Sequence, residues 1–210
     1  MMKTIIPHLW FDKEAREAAE LYTSLFENSR IVETNVLHDT PSGDAETVDF
    51  ELAGQPFEAI SAGPYFKFNS TVSLFVTCES ADEVDRLWTK LIEGGESMME
   101  LGTYPFSKRY GWLADRYGLN WQLSYTGEPV PAQKISVNLL FCGTVNGKAE
   151  EAARFYAETF LDGKIELVSH YAPGEASAKT AKANYVGFTI GGQRMSAMDH
   201  GFDVDESFNE

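Results

Sequence analysis

The chain repeats itself. His8-Leu9-Trp10-Phe11-Asp12 leading into Ala15-Arg16-Glu17-Ala18-Ala19-Glu20-Leu21-Tyr22 returns as Asn138-Leu139-Leu140-Phe141-Cys142 leading into Ala149-Glu150-Glu151-Ala152-Ala153-Arg154-Phe155-Tyr156. Each copy reads as a short strand, a tight corner and an amphipathic helix. A duplication of this length restricts the fold more than any single motif, because one folding unit must serve at both places.

The rest of each unit follows from local pattern. Ile5 to Phe11 is an apolar run with aromatics, a strand, and Asp12 is placed to cap the helix behind it. Ala15, Ala18, Ala19, Tyr22, Leu25 and Phe26 share one helical face. Strands are predicted over 30–37, 47–52 and 57–62, with loop chemistry at 38–44 and a hairpin signal at Gly54-Gln55. A second unit opens with a strand over 71–78, then a capping box, Ser80-Ala81-Asp82-Glu83, and a buried stripe of Val84, Leu87, Trp88, Leu91 and Ile92. Strands over 98–101, 110–114 and 120–125 complete it. The third unit retraces the first: Phe50, Gly54, Gln55, Ala59 and Gly63 are matched by Phe188, Gly192, Gln193, Ala197 and Gly201. The expected organisation is residues 1–126 as two paired βαβββ units, residues 127–134 as a linker, and residues 135–210 as a third unit with no partner in the chain.

Composition narrows the function. The 17 basic residues against 32 acidic ones leave a formal net charge of -15. Such a surface repels phosphate backbones and anionic lipid, which argues against nucleic-acid and membrane partners. The N-terminus lacks the apolar run and cleavage site of a secretory signal, and no segment has the apolar length of a membrane helix. Cys78 and Cys142 each lie in an apolar strand-like stretch, the pattern of buried thiols in a reducing cytoplasm.

Four stretches carry a family resemblance: His8-Leu9-Trp10-Phe11-Asp12, Gly54-Gln55-Pro56-Phe57, Pro105-Phe106-Ser107-Lys108-Arg109-Tyr110-Gly111-Trp112, and Asp115-Arg116-Tyr117-Gly118-Leu119-Asn120-Trp121-Gln122-Leu123. In these the chain resembles the vicinal oxygen chelate superfamily of glyoxalase I, extradiol dioxygenases and bleomycin-resistance proteins, and within it the PhnB-like, or "3-demethylubiquinone-9 3-methyltransferase", family. The resemblance implies an α+β fold: tandem βαβββ modules in a curved, barrel-like mixed sheet, helices outside and a ligand cleft inside.

It also implies where a metal would sit in metal-using members: His8, a position near Ile60 or Ser61, Ser73 and Gln122. Of these only His8 is a good ligand, and a catalytic metal takes about three, so no metal and no cofactor are expected. Strand alternation puts Trp10 beside His8, Phe75 beside Ser73, and Asn120, Gln122 and Ser124 on the cleft side, with Trp121 and Leu123 beneath. Lys108, Tyr110 and Trp112 join the expected binding residues, because aromatic walls with a few polar groups suit a small organic molecule. Asp199 and His200 could pass for a ligand pair, but neighbours on a strand face opposite ways and a solvated strand end is expected. No glycine-rich turn suits a methyl-donor cofactor, so methyl transfer is not expected despite the family's description.

The leading reading is a binding protein that holds an aromatic or quinone-like metabolite without changing it. The alternatives are an enzyme on such a metabolite with His8 as acid or base, a metal-dependent glyoxalase or dioxygenase as the resemblance implies, and a purely structural or interaction module. The unpaired third unit suggests a homodimer formed through it. A shortened form of a four-unit protein explains the same pattern.

Overall fold

The structure is a computed structural model that describes residues 5–208. They fall into two compact units. The larger holds Ile6–Phe68 and Val76–Ile135; the smaller holds Ile5, Asn69–Phe75 and the residues from Ser136 onward.

In the larger unit, repeat one runs β1 (His8–Phe11), α1 (Ala15–Leu25), β2 (Arg30–Thr40), β3 (Gly43–Leu52) and β4 (Gln55–Ser61). Its sheet has the order β1-β4-β3-β2, with β1 parallel to β4 and the other pairs antiparallel. Ala53 and Gly54 both have positive φ, +48° and +79°, which is the turn that matches the twist of a tight hairpin. Ala15, Ala18, Ala19 and Tyr22 are buried, so small side chains bring α1 close to the sheet.

Repeat two contains β5 (Val72–Thr77), α2 (Ala81–Leu91), β6 (Glu96–Tyr104), β7 (Ser107–Ala114) and β8 (Asn120–Tyr125). The capping box forms: Ser80 Oγ accepts the Glu83 N–H at 3.1 Å, and Glu83 Oε2 accepts the Glu79 N–H at 2.8 Å. In the larger unit the second half of β5 lies beside β8, followed by β7 and β6; the Cys78 N–H, just past the strand, reaches the Ser124 carbonyl at 2.8 Å. Strand β7 begins at Ser107, so the Lys108–Trp112 stretch is strand throughout.

The smaller unit holds most of repeat three: β9 (Ile135–Phe141), a short 3-10 turn, α3 (Ala149–Thr159), β10 (Lys164–His170), β11 (Ala183–Ile190) and β12 (Gln193–Asp199). The order is β10-β11-β12-β9, with β9 parallel to β12. Phe141, Ala153, Val186, Phe188 and Ile190 form its core.

Two expectations are corrected. The third repeat is not without a partner in the chain: the first half of β5 lies beside β9, where the Leu140 N–H donates to the Thr71 carbonyl at 2.8 Å. A strand edge is a row of unpaired donors and acceptors, and β5 satisfies it. The chain therefore does not divide at residues 127–134, because 69–75 go with the third repeat. Neither sheet closes into a barrel. No helix of the described residues is long and apolar enough to cross a membrane.

Candidate functional site

Strand β1 carries two of the residues singled out from sequence, His8 and Trp10. In its register with β4, His8 lies beside Glu58 and Trp10 beside Ile60. Side chains at paired positions share a face, so these four stand together on the side of the sheet away from α1. His8 and Glu58 are exposed; Trp10 and Ile60 are half-buried. Trp10 is fixed twice: its indole N–H donates to the Gly63 carbonyl at 2.8 Å, and Phe66 meets its ring edge-on at 5.0 Å. An imidazole, a carboxylate and an aromatic wall thus line one open surface. Sequence reasoning missed Glu58 and Phe66. The parallel β1–β4 register, which no local pattern reveals, is what brings Glu58 to His8.

Ser61 does not belong to this surface, contrary to expectation. It pairs with Phe11, on the helix side, and its Oγ accepts the Ala15 N–H at 3.1 Å. It therefore does the capping expected of Asp12, which is exposed, and α1 has no side-chain cap from its own segment. Asp199 occupies the corresponding place in repeat three, paired with Phe141, and does the same work more fully. Its Oδ1 accepts the N–H groups of Gly147 and Ala149, and its Oδ2 those of Lys182 and Ala183. Asp199 is buried, not a solvated strand end. His200 turns away and accepts the Phe202 N–H through Nδ1 at 3.0 Å.

The β7–β8 residues are occupied with one another. Tyr110 donates its hydroxyl proton to Gln122 Oε1 at 2.7 Å, and the Trp112 indole N–H donates to Asn120 Oδ1 at 2.9 Å. All four are buried, and burial raises the Tyr110 phenol far above its ordinary pKa. Lys108 is exposed. Ser73, in the smaller unit, is buried and faces Asn138, whose Nδ2 lies 3.5 Å from its Oγ; Ser196 donates to Asn138 Oδ1 at 2.8 Å. Phe75, two residues on, is half-buried. Of the residues singled out from sequence, the structure groups His8 with Trp10, and Tyr110 with Gln122.

Trp121 and Leu123 are fully buried on the other side of β8. Trp121 meets Tyr22 at 5.1 Å and stacks on Phe26 at 6.0 Å. Asp115 is the polar centre of this contact: it accepts the Tyr22 hydroxyl at 2.6 Å, the Trp121 indole N–H at 2.9 Å, and the N–H groups of Tyr117 and Leu119. Burial raises its carboxyl pKa, and the four donors counter that by favouring the anion.

The donor set does not fit a resident catalytic metal. Gln122 Oε1 is held by Tyr110, Ser73 is hydrogen-bonded, and His8 with Glu58 supplies two ligands where about three are needed. A cavity of about 610 Å³ opens elsewhere in the larger unit, among Phe26, Asn28, Ser80, Arg86, Pro131 and Lys134. None of the binding or catalytic residues expected from sequence lines it. Its two cations are engaged, Lys134 with Glu83 at 2.8 Å and Arg86 with the Leu25 carbonyl at 3.0 Å.

The repeated βαβββ units are in keeping with a protein of the vicinal oxygen chelate superfamily. The profile of the 3-demethylubiquinone-9 3-methyltransferase family matches residues 3–124 and, separately, 133–210, and the chain belongs to that family. Among solved structures it is similar to the PhnB protein of Bacillus cereus, with 39% identity over 59% of this chain and 99% of that one and a TM-score of 0.55. Glyoxalase I of Zea mays shares the fold at 11% identity, over 94% of this chain and 68% of that one, with a TM-score of 0.57. No curated protein matches.

Proposed function

We propose that the chain binds a small flat organic molecule, aromatic or quinone-like, on the open face of β1 and β4, without a metal or other cofactor. The observation that carries this reading is the contrast between equivalent positions. Asn138 and Ser196, which correspond to His8 and Glu58 in repeat three, are buried and hydrogen-bonded to each other, whereas His8 and Glu58 face solvent beside Trp10. A ring stacked on Trp10 would gain apolar contact there, and His8 could donate to, or accept from, an oxygen at its edge. Two free, buried cysteines are in keeping with a reducing compartment such as the cytoplasm.

The placing of Glu58 beside His8 favours a second reading, in which the carboxylate orients the imidazole for acid–base chemistry on the same molecule. A thermal-shift titration with a soluble naphthoquinone tests the first reading. Stabilisation should disappear in Trp10→Ala and persist in Lys108→Ala; stabilisation unchanged in Trp10→Ala rejects the site. A His8→Ala variant that still binds but turns over nothing the wild type converts would establish the enzyme.

A further inference from the structure

The last turn of α1 is covered by two side chains from repeat two. Trp121 lies against Tyr22 and Phe26, and Arg86 donates through Nη1 to the Leu25 carbonyl at 3.0 Å. That places a cation at the negative end of the helix, where α1 has no basic residue of its own. The last turn of α3 has none either. Its equivalents of Tyr22 and Phe26 are Tyr156, half-buried, and Phe160, exposed.

Between the two copies the sequence at this end changes in one direction. Leu21 is replaced by Phe155 and Glu27 by Leu161, both exposed. Ser24 is replaced by Glu158 and Asn28 by Asp162, while Glu17 is kept as Glu151. Apolar surface and the negative charge around it therefore increase together. Glu151 and Glu158 flank Phe155 on one helix face. Arg154, the one cation between Ala149 and Gly163, is paired with Glu150 at 2.7 Å. Glu151, Glu158 and Asp162 are exposed and have no ion-pair partner among the described residues. The next cation in the chain, Lys164, lies past the turn on β10. Leu161 is held in place, because its carbonyl accepts the Gly191 N–H at 3.2 Å.

We propose that the end of α3 docks a different protein, through a segment that presents an aromatic or long aliphatic side chain beside an arginine. The apolar side chain stands on Tyr156 and Phe160 as Trp121 stands on Tyr22 and Phe26. The arginine meets the last carbonyls of α3 and the carboxylates around them, as Arg86 meets Leu25. Arginine suits this place better than lysine, because its planar fork can bond a carbonyl and a carboxylate at once. An apolar centre with a charged rim is the anatomy of a protein interface. A second copy offering the same face is the wrong occupant: it would set Glu151, Glu158 and Asp162 against their own counterparts.

The test uses the full chain and a labelled synthetic amphipathic peptide, a stripe of Leu and Trp flanked by Arg, beside the same peptide with Glu at every Arg. Fluorescence anisotropy should show the Arg peptide binding, more weakly as salt is raised, and the Glu peptide binding at least about tenfold less tightly. Leu161→Glu, which restores the residue found in repeat one, and Phe155→Ser should each weaken the Arg peptide about tenfold with an unchanged circular dichroism spectrum. Val36→Ser, at an exposed apolar position on β2, should leave it unchanged. Should Leu161→Glu or Phe155→Ser fail to fold, Glu158→Lys decides, and it too should weaken the Arg peptide. Equal affinity for the two peptides overturns the proposal, as does wild-type affinity in both Leu161→Glu and Phe155→Ser. A wild-type dimer in sedimentation that Leu161→Glu converts to a monomer also overturns it, because the occupant is then a second copy.

Discussion

Helices α1 and α3 begin from nearly the same sequence and end in different surroundings. Tyr22 is fully buried and Phe26 is 6% exposed, both packed on Trp121, and Tyr22 also hydrogen-bonds Asp115. Their counterparts Tyr156 and Phe160 are half-buried and 48% exposed; Phe155 on α3 is 62% exposed and Leu161, just past its end, 67%. The ring contacts of Tyr156 are Phe188 and its own neighbour Phe155. The apolar pattern specifies that a helix forms and which side meets its own sheet. What covers the remaining aromatics depends on a partner element that the helix does not encode.

Stability measurements can break that comparison. Phe26→Ala should cost about 3–5 kcal/mol, the usual loss for a buried aromatic, and Phe160→Ala no more than about 1 kcal/mol. Chemical denaturation measures both; equal losses would mean that α3 is covered in solution. At the carboxylates the two regions should converge. Asp115→Ala and Asp199→Ala each strand four donors, and each should lose about 2–4 kcal/mol. A near-neutral Asp199→Ala would show that its turn re-forms without it.

The two aspartates can also be separated by pH. The Asp115 carboxyl has its folded pKa raised by burial, so it favours the fold most below its unfolded pKa, near 3.9, and that advantage falls as pH rises through the folded value. Wild type compared with Asp115→Asn should therefore lose relative stability as pH rises from about 4. The smallest effect belongs to the cysteines that follow the first strands of repeats two and three. Burial pushes the Cys78 thiol up to about 12, so the unfolded chain ionises first and stability falls as pH rises from about 9 toward about 12. At about pH 10 the loss should be about 1 kcal/mol and absent in Cys78→Ala. A native Cys78 that reacts readily with a thiol reagent at neutral pH would contradict this burial.

Much of the architecture was legible in the residues. Alanine and aromatic spacing marks α1 and α3, Ser80 and Glu83 mark the start of α2, and the Gly54 and Gly192 matches mark equivalent hairpins. Strand partners were not legible, because the first strands of all three repeats are short apolar runs that suit one another's edges equally; only the folded chain selects β5 for β9. The family resemblance points to His8, and strand alternation puts Trp10 on the same side of β1. The resemblance leaves Ile60 and Ser61 open, and because a shift of one residue moves a side chain across the sheet, only the β1–β4 register puts Ile60 beside Trp10 and Ser61 on the helix side. The caps were hidden by distance: Ser61 acts on Ala15, and Asp199 on Ala149, through contacts no local motif records.

The open face of repeat one is the proposed binding surface. Backbone and indole N–H shifts of the nitrogen-15-labelled chain, followed during titration with a soluble naphthoquinone, report where the molecule sits. Perturbations should be concentrated at His8 to Phe11, at Glu58 to Ile60 and at the Trp10 indole. Perturbations confined to Tyr110, Gln122 and Trp112, or to the cavity beside Phe26 and Lys134, would contradict it.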